Sequence, residues 1–588
     1  MSRRRDSARH PVRTALVLGL LVTGLFTLAG RAVYLQVLDT DFLQSEGKQR
    51  HSRVVKDNSH RGMILDRNGA PLAVSTPVDS IWAHPDTLAE AKPRWPALAA
   101  ALGMNARELA KMFEKHADRE FMYLKRHADP DLAERVMALK VPGVALQREY
   151  RRYYPLGPVA GHVIGFTSVD DAGQEGLELA YDPALRAIPG RKRVLKDLQG
   201  NVVEQVESLA LPKPGHDITL SIDRRVQYLA YRELKHAVET HGARGGTAVV
   251  LDARTGEVLA MVNEPDFNPN NRGHSKGEQF RNRAVTDLFE PGSTMKPFTV
   301  AAALESGKFR PDTLIDTSGG AIQIGNRVIR DVHPYGALTV ARVIEKSSNV
   351  GASRIALALD KQTLWGTLTG VGFGAPTGSR LPGEGTGVLH KPSRWVPVEQ
   401  ASLSFGYGLS VTPLQLARAY AAFANDGVLP EVTLLKRTEP AEGTRVFSAD
   451  TARAMRAMLE LAVGEQGTGA SARVADYRVA GKTGTVRKLT AGGYSESHYV
   501  GWFAGMAPAT DPRLVMVVAV DDPARGGYFG GVVAAPVFAR VMAGALRLLD
   551  VPPDAPRETP KLLMVRSEQV ADDYRDAGGR APSETRAE

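Results

Sequence analysis

The sequence predicts an α+β protein in which an N-terminal membrane helix precedes two domains. Three observations predict this arrangement. An uncharged apolar run lies near the N-terminus, a helix-hostile segment Leu211–Gly215 divides the chain, and strand patterns at both ends of the second part enclose a helix-rich middle. The second part should therefore form an antiparallel sheet, closed by its N- and C-terminal segments and flanked by helices.

The apolar run begins directly after an arginine cluster. Residues Thr14–Gly30 carry no charge, and the run extends to Val37 if Arg31 snorkels toward the headgroups. We expect an uncleaved single-pass anchor over 14–37 rather than a signal peptide, because Ala29-Gly30-Arg31 is a poor cleavage site. Arginine-rich flanks resist translocation, so residues 1–13 should be cytoplasmic. We expect no later segment to be long and apolar enough to span, which places the rest of the chain outside.

Composition excludes several classes of function. The 588 residues include no cysteine, so disulfides and thiolate metal sites are excluded. A net charge of +9 is mild for this length and favours a solvated surface over a nucleic-acid footprint. The chain shows neither metal-ligand spacing of His and acidic residues nor a phosphate-binding loop, so we expect no cofactor, no metal and no nucleic-acid partner.

The first domain is predicted over 38–215. Within it, Met63–Val74 is typical of a hairpin, because Asn68-Gly69 supplies the positive φ angles of a tight turn. Apolar residues spaced by three and four then predict helical segments at 97–102 and 109–113.

The second domain is predicted over 216–550. Its first elements are a strand at Ile218–Ile222 and a helix from Arg224 to about His241. The remaining predicted elements are a hairpin of Thr247–Leu251 and Glu257–Val262, paired strands Tyr499–Gly505 and Leu514–Val520, and a closing helix Ala534–Leu549. Beyond it, residues 551–588 are rich in proline and charge and predict a disordered tail.

Three short motifs follow one another in the second domain. They are Ser293-Thr294-Met295-Lys296, Ser347-Ser348-Asn349 and Lys482-Thr483-Gly484-Thr485. Each alone is a weak signal, as an isolated Ser-x-x-Lys at Ser45–Lys48 illustrates. The ordered set, with gaps long enough for helices, matches the parts of a penicilloyl-serine transferase site.

The first motif supplies a nucleophile and a base. Pro291-Gly292 breaks the chain before Ser293, and Thr294–Leu304 is helix-compatible, so Ser293 should lie at a helix N-terminus with Lys296 one turn away. A serine hydroxyl needs a base, and Lys296 serves only if neutral. Its pKa must therefore fall by about three units, through burial and the like charge of Lys482.

The other two motifs supply a proton relay and substrate contacts. Ser347 and Asn349 are predicted between helices Ala341–Lys346 and Ala352–Leu359, where Ser347 can pass a proton to the leaving amine and Asn349 can orient a substrate amide.

Residues Val479–Val486, which hold the third motif, are predicted to form an edge strand. A peptide can add along this edge, because Gly481 and Gly484 admit a second backbone. Lys482, Thr483 and Thr485 can bind a carboxylate, and the N–H groups of Ser293 and Thr485 can form an oxyanion hole.

These motifs, with three upstream boxes, resemble the class B penicillin-binding proteins over about residues 10–550. The boxes begin at Arg61, Arg152 and Gly173, and the stretch Arg281–Gly292 is most similar to the division-type, FtsI-like branch. The resemblance implies that 38–215 is an elongated non-catalytic pedestal, with ion pairs among Arg61, Arg152 and Glu178. It implies that 216–550 is a penicillin-binding transpeptidase domain with a helical subdomain.

The resemblance also implies a reaction and partners. Ser293 would attack the D-Ala-D-Ala end of a stem peptide, expel D-alanine and hold an acyl-enzyme, which an amine of a neighbouring stem, meso-diaminopimelate, would resolve. β-Lactams would acylate Ser293, and no cofactor is needed. The implied partners are a polytopic membrane glycan polymerase and other divisome proteins, at a bacterial inner membrane with a cytoplasmic N-terminus and a periplasmic catalytic domain.

Other functions stay open as alternatives. An elongation-type class B transpeptidase is the nearest one. A serine β-lactamase is disfavoured, because Glu384 is followed four residues later by Val388 and not by the Asn of class A enzymes. A catalytically silent divisome scaffold is disfavoured by three intact motifs. A β-lactam sensor is disfavoured because it would need a signalling domain across the membrane, where only a short arginine-rich tail is expected. The roughly 170 residues of the pedestal region leave little room for a glycosyltransferase module.

Overall fold

This computed structural model describes residues 11–39, 52–196, 202–439, 443–490 and 492–555. The predicted cytoplasmic tail before Pro11 and the predicted disordered tail after residue 555 lie outside the described residues.

The first element is helix α1 (Pro11–Val33), which continues through a π-helical turn, Tyr34–Leu38. No residue of α1 is buried. The segment Pro11–Val37 has a mean hydropathy of 1.9 and is long and apolar enough to cross a membrane. It contains the predicted anchor.

A second segment, Gly530–Leu548, satisfies the same length and hydropathy criteria, so the expectation that no later segment would do so was wrong. Half of this segment is buried inside the protein, where it packs against the catalytic sheet. Its apolar face therefore belongs to a core helix.

The pedestal is built around two sheets. A three-stranded antiparallel sheet has the order β1-β8-β9. A five-stranded sheet has the order β10-β2-β3-β4, with β5 also paired to β3, and its strand β10 (Ile218–Thr219) comes from the second domain. The pedestal strands are β1 (Ser52–Asp57), β2 (Ile64–Leu65), β3 (Pro71–Ala83), β4 (Met122–Ala128), β5 (Val144–Tyr153), β6 (Phe166–Thr167), β7 (Gly173–Glu175), β8 (Gly190–Lys196) and β9 (Val202–Ala210).

Short helices cover this domain, and several pack on the core around Ile81, Leu98 and Leu109. They are α2 (Pro85–Glu90), α3 (Trp95–Ala101), α4 (Ala106–His116), α5 (Pro130–Ala138), α6 (Gly161–Ile164), α7 (Gly176–Ala180) and α8 (Asp182–Leu185). The predicted hairpin at Asn68-Gly69 and both predicted helical segments are confirmed, with Gly69 at φ +84°.

A buried cluster of opposite charges ties the pedestal together. The wholly buried Arg61 guanidinium lies 2.6 Å from Glu178 and 2.7 Å from Asp182, and Arg152 lies 2.6 Å from the same Glu178. The predicted ion pairs among Arg61, Arg152 and Glu178 are confirmed, and each of these three residues lies against an opposite charge, as expected of a structural cluster.

The two domains share a sheet. Strand β10 (Ile218–Thr219) is shorter than the predicted Ile218–Ile222 and pairs in parallel with β2 of the pedestal. The backbone also crosses the joint, since Arg67 N donates to Ile222 O at 2.9 Å. The segment after Leu211–Gly215 is thus held by both domains.

The catalytic domain contains one five-stranded antiparallel sheet in the order β12-β11-β21-β20-β19. Its strands come from both ends of the domain, as predicted. They are β11 (Gly245–Asp252), β12 (Val258–Glu264), β19 (Ala480–Thr490), β20 (Gly493–Ala507) and β21 (Leu514–Asp521).

Both faces of this sheet are covered. Alternate residues of β11 enter two different cores: Ala248 and Val250 pack with one cluster, and Val249 and Leu251 with the other. Helices α9 (Arg224–His241) and α19 (Ala535–Leu548), which the sequence predicted, cover the first face. A sheet buried on both faces explains why its strands β11, β12 and β21 are largely apolar.

The second face carries the helical subdomain. Its helices are α10 (Arg283–Thr286), α11 (Lys296–Glu305), α12 (Val340–Lys346), α13 (Asn349–Leu357), α14 (Lys361–Gly370), α15 (Pro397–Leu403), α16 (Pro413–Ala424) and α17 (Ala449–Val463), and a short α18 (Gly530–Val533) precedes α19. Small hairpins complete it: β13 (Leu314–Asp316) with β16 (Ala337–Thr339), β14 (Ala321–Ile324) with β15 (Arg327–Arg330), and β17 (Val428–Pro430) with β18 (Gly443–Arg445).

Candidate active site

The nucleophile motif lies where a tight turn enters helix α11. Residues Gly292–Met295 form a 3-10 turn, and α11 begins at Lys296 with Pro297 in its first turn. Gly292 has φ +58°, and an added Cβ would lie 2.5 Å from Val486 Cγ2, so only glycine fits here. The turn leaves Ser293 partly exposed and places its Oγ 3.0 Å from Lys296 Nζ.

Lys296 is wholly buried at the centre of the site. Besides Ser293, its Nζ contacts Ser347 O at 2.5 Å, Ser347 Oγ at 3.1 Å and Asn349 Oδ1 at 2.8 Å. Burial, and then the charge of Lys482, lower the pKa of Lys296 well below its usual value, and Asp331 opposes this only in part. The predicted direction of this pKa shift and both of its predicted causes are present.

The second motif lies at a break between two helices. Helix α12 ends at Lys346 and is followed by Ser347, which has φ +59°, and Ser348 caps helix α13 by accepting from Gly351 N at 2.8 Å. A left-handed serine costs on the order of 1–3 kcal/mol, so the surrounding contacts must hold it. The predicted start of the second helix at Ala352 was wrong by three residues, because the capping serine lets α13 begin at Asn349.

The third motif lies on β19, which is the edge strand of the sheet, as predicted. Lys482 is wholly buried, and its Nζ lies 3.0 Å from Ser347 Oγ and 3.2 Å from Thr483 O. Burial lowers the pKa of Lys482 to about 7. The Ser347 hydroxyl therefore contacts both lysines, so the structure brings Ser293, Lys296, Ser347, Asn349 and Lys482 into one continuous network.

The residues around Lys482 join this strand to the nucleophile turn. An added Cβ on Gly484 would lie 2.9 Å from Pro291 O and 3.1 Å from Thr294 Cγ2. The backbone that approaches Gly484 is thus the turn that carries Ser293. Thr483 Oγ1 lies 2.6 Å from Thr468 Oγ1, and Thr485 Oγ1 accepts from Gly530 N at 3.1 Å.

Asp331 is a neighbour that the sequence did not reveal. It follows strand β15, and its carboxylate accepts hydrogen bonds from Ser348, Asn349 and Val350. No local pattern marks it, because its partners lie 17 to 19 residues further along the chain. Within the described residues, no group of His and acidic side chains could hold a metal ion.

Two family models match the chain. The model described as the penicillin binding protein transpeptidase domain covers residues 246–543 and contains all three motifs. The model described as the penicillin-binding protein dimerisation domain covers residues 56–220, within the pedestal and the joint.

Full-length relatives and solved structures agree with these matches. The chain is 43% identical over 548 residues to the peptidoglycan D,D-transpeptidase FtsI of Escherichia coli K12, covering 92% of this chain and 93% of that one. It is 42% identical over 555 residues to a probable peptidoglycan D,D-transpeptidase, PbpC, of Pseudomonas aeruginosa, covering 94% and 98%. The apo TP domain of Burkholderia pseudomallei penicillin-binding protein 3 is similar with a TM-score of 0.53 and 46% identity, over 57% of this chain and 98% of that chain.

Proposed function

This chain belongs to the class B penicillin-binding proteins, and we propose that it is a serine-type peptidoglycan D,D-transpeptidase that crosslinks stem peptides during septum formation. One observation carries the chemical part of the proposal. The Ser293 hydroxyl lies 3.0 Å from a buried amine, Lys296, whose pKa is lowered by burial and by Lys482. A neutral amine in that place can accept the proton that a serine must lose to become a nucleophile.

Acylation of the enzyme is the first half-reaction. Ser293 Oγ attacks the carbonyl carbon of the penultimate D-alanine while its proton moves to Lys296 Nζ. The peptide C–N bond then breaks, and the leaving amine takes a proton through Ser347 Oγ, which lies 3.1 Å from Lys296 Nζ and 3.0 Å from Lys482 Nζ. D-Alanine departs, and an ester joins the donor peptide to Ser293.

The third motif would hold the substrate during this step. Lys482, Thr483 and Thr485 bind the terminal carboxylate, and a bound carboxylate favours the protonated form of Lys482, whose pKa near 7 makes that proton easy to gain. The donor peptide adds along the edge of β19. The N–H groups of Ser293 and Thr485 hold the developing oxyanion, and the backbone of Thr485 lies beside the nucleophile turn.

Transfer to the acceptor completes the cycle. An amine of a neighbouring stem peptide, meso-diaminopimelate, attacks the ester carbonyl and gives its proton to Lys296 through the same network. The ester C–O bond breaks, Ser293 regains its proton, and a new peptide bond links the two stems. Asn349 orients the donor amide beside Lys296. Its own position is fixed there, because Asn349 Oδ1 accepts a hydrogen bond from Lys296 Nζ at 2.8 Å.

A hydrolytic β-lactamase is less well supported than a transferase. A class A β-lactamase carries a glutamate placed to drive water onto the acyl-enzyme. Here the Glu384 carboxylate accepts hydrogen bonds from Thr377 and from Ser379 Oγ, the latter at 3.0 Å. These contacts stabilise the loop that contains Glu384. β-Lactams should therefore acylate Ser293 and remain bound.

The membrane placement follows from the N-terminal helix and the relatives, which support a membrane-anchored protein. In the proposed topology α1 crosses the bacterial inner membrane once, with a cytoplasmic N-terminus and a periplasmic catalytic domain. The partners proposed are a polytopic membrane glycan polymerase and other divisome proteins. The division role rests on the FtsI-like relatives, and an elongation role is the nearest alternative.

A labelling experiment tests the proposal. The purified protein is incubated with a fluorescent penicillin, digested and analysed by mass spectrometry, beside a Ser293→Ala variant. We expect one stable adduct on the peptide that contains Ser293 and none on the variant. Absence of an adduct on the natural protein, or rapid hydrolysis of the penicillin, would overturn the transpeptidase assignment. Depletion of the protein in cells should block septation, whereas loss of rod shape would favour the elongation role.

A further inference from the structure

Residues 265–282 join strand β12 to helix α10, and we call them the docking segment because they lie against the pedestal. Asn270 of this segment exchanges two hydrogen bonds with Tyr154 of the pedestal. Its Oδ1 accepts from Tyr154 N at 3.0 Å, and its Nδ2 donates to Tyr154 O at 2.8 Å. The docking segment therefore forms part of the joint between the two domains.

Aromatic rings extend this contact between the domains. The ring of Phe267 lies edge-on to His162 and Phe166 of the pedestal, with ring centres 5.0 Å and 5.9 Å apart. Phe280, near the other end of the docking segment, lies 5.0 Å from Phe267. Burial lowers the pKa of His162 to about 4, so its ring is neutral near pH 7. Its Nε2 donates to Gln279 O at 2.8 Å.

Glu264 is the last residue of β12 and lies directly before the docking segment. It is buried, with 6% of its surface exposed. Its Oε2 accepts from Asp266 N at 3.2 Å, but its Oε1 is buried without a hydrogen-bond partner. The residue opposite it on β11 is Gly246, which offers no side chain. No side chain of the described residues forms an ion pair with this carboxylate, so a negative charge here is poorly compensated.

The charged neighbours of Glu264 come from the docking segment and from helix α9. Lys235 of α9 lies 2.8 Å from Asp266 Oδ2 instead of pairing with Glu264. Tyr231 OH, also on α9, donates to the same oxygen at 2.5 Å. Burial and then the charge of Asp266 raise the pKa of Glu264 to about 7. The charge of Glu239 acts on this pKa in the same direction, and that of Lys235 opposes it.

We propose that Glu264 is a proton-dependent latch of the joint between the domains. While its carboxyl group is protonated, the docking segment stays against the pedestal, and loss of the proton loosens the segment. The physical reason is that the new anion lies beside Asp266 in a buried site, so the two charges separate or reach water only if the start of the segment moves. Asp266 O accepts from Gln279 Nε2 at 3.3 Å, which carries such a movement to the contact of Gln279 with His162. The proposal goes beyond the proposed function and does not depend on it.

The pH dependence of the latch has a definite direction. An ordinary glutamate has a pKa of about 4.3, whereas that of Glu264 in the folded protein is about 7. The docked state therefore binds more protons than the loosened state between these values, so the latch weakens as the pH rises. Between pH 6 and pH 8, the charged fraction of a group with a pKa of about 7 increases about tenfold. Opening of the joint should increase by the same factor.

Two variants and a control separate the latch from general effects of charge. Glu264→Gln keeps the shape of the protonated carboxyl group at every pH. Asp266→Asn removes the neighbouring negative charge and should lower the pKa of Glu264. The exposed Glu278 of the docking segment gives the matched control Glu278→Gln. Each variant is made in the full-length protein and compared with the natural protein at the same pH, so that the intrinsic pH dependence of amide exchange cancels.

The test is amide hydrogen exchange, measured by mass spectrometry at pH 6 and pH 8. The N–H of Tyr154 donates across the joint to Asn270, so the peptide that contains Tyr154 reports on docking. Its exchange rate in the natural protein, divided by that in Glu264→Gln, should rise about tenfold from pH 6 to pH 8. The same ratio should stay constant for helix α3, which lies in the separate core of the pedestal. For Glu278→Gln, the ratio at Tyr154 should also stay constant.

Asp266→Asn, compared with the double variant that also carries Glu264→Gln, should show a smaller rise at Tyr154 over the same interval. A ratio for Glu264→Gln that does not change with pH would overturn the proposal. An equal rise at α3 would do the same, because Glu264 would then stabilise the whole fold and not the joint. If Glu264→Gln does not fold, Asp266→Asn decides: exchange at Tyr154 with the pH dependence of the natural protein contradicts the latch.

Discussion

Two wholly buried cations in this molecule have opposite surroundings. In the pedestal, Arg61 lies against the carboxylates of Glu178 and Asp182. Burial lowers the pKa of Arg61, but these carboxylates outweigh burial and raise it overall. In the catalytic domain, Lys296 contacts only oxygens of Ser293, Ser347 and Asn349, and the nearby charge of Lys482 adds to the effect of burial.

The difference shows what makes a buried cation structural or reactive. A buried ion pair keeps both of its charges at every relevant pH, and removing either partner strongly destabilises the fold. A buried amine without a contacting carboxylate has a lowered pKa and gives up its proton more easily, which costs stability but produces a base. The protein thus places one kind of cluster in the domain proposed to be non-catalytic and the other beside Ser293.

The largest expected effect is on catalysis at Lys296. Lys296→Met should lower the rate of penicillin acylation by about 10³-fold, because a positioned base contributes roughly that much. Its free energy of unfolding should not fall, because an apolar side chain replaces an amine without a buried counter-charge. Stopped-flow acylation and urea unfolding measure the two quantities. Lys308→Met, at an exposed lysine after the same helix, is the control. A Lys296→Met variant that keeps a tenth of the natural acylation rate would contradict the contrast between a reactive lysine and a structural arginine.

The reverse pattern is expected in the pedestal. Glu178→Gln removes the shared counter-charge of Arg61 and Arg152, so the free energy of unfolding should fall by about 3–5 kcal/mol. Acylation by the molecules that remain folded should be unchanged. The control is Glu207→Gln, which breaks a half-exposed pair with Arg193 and should cost at most about 1 kcal/mol. If both variants lower the free energy of unfolding by the same amount, the buried charge cluster of the pedestal stabilises the fold no more than a half-exposed ion pair does.

The sequence predicted the residues of the reactive cluster around Lys296 better than the distant segments that hold this cluster in place. Motif order identified Ser293, Lys296, Ser347, Asn349 and Lys482, and the helix Arg224–His241 has the predicted bounds. These features are local, since spacing and caps determine them. Asp331, the start of α13 and the pairing of β10 with β2 depend on contacts between distant segments, and a single sequence carries no local pattern for them. The roles of the motif residues remain predictions until the labelling is done.

The pH dependence of stability sharpens the comparison further. The pKa of Lys482 is about 7 in the folded protein, whereas an unfolded lysine has a pKa of about 10.4. Between these values the unfolded chain binds more protons, so the free energy of unfolding rises with pH, by up to about 1.4 kcal/mol per unit. Urea unfolding from pH 7.5 to 9 should show this rise. Lys482→Met should reduce the slope, giving a difference of about 2 kcal/mol over the interval, and Lys308→Met should leave it unchanged.

The smallest expected effect concerns the packing that keeps the reactive cluster assembled. An alanine at Gly484 would press its Cβ against Pro291 O and Thr294 Cγ2, at 2.9 Å and 3.1 Å, and would push β19 away from the nucleophile turn. Gly484→Ala should therefore cost about 1–2 kcal/mol of stability and about tenfold in acylation. The control is Gly366→Ala, at a helical position with no atom within 4 Å of the new Cβ, which should stabilise by about 0.5–1 kcal/mol. Lys482 lies on the same strand, so moving β19 away should weaken the like charge that helps to lower the pKa of Lys296, and the pH midpoint of acylation should rise slightly. An unmoved midpoint would mean that burial alone, without the charge of Lys482, sets the pKa of Lys296.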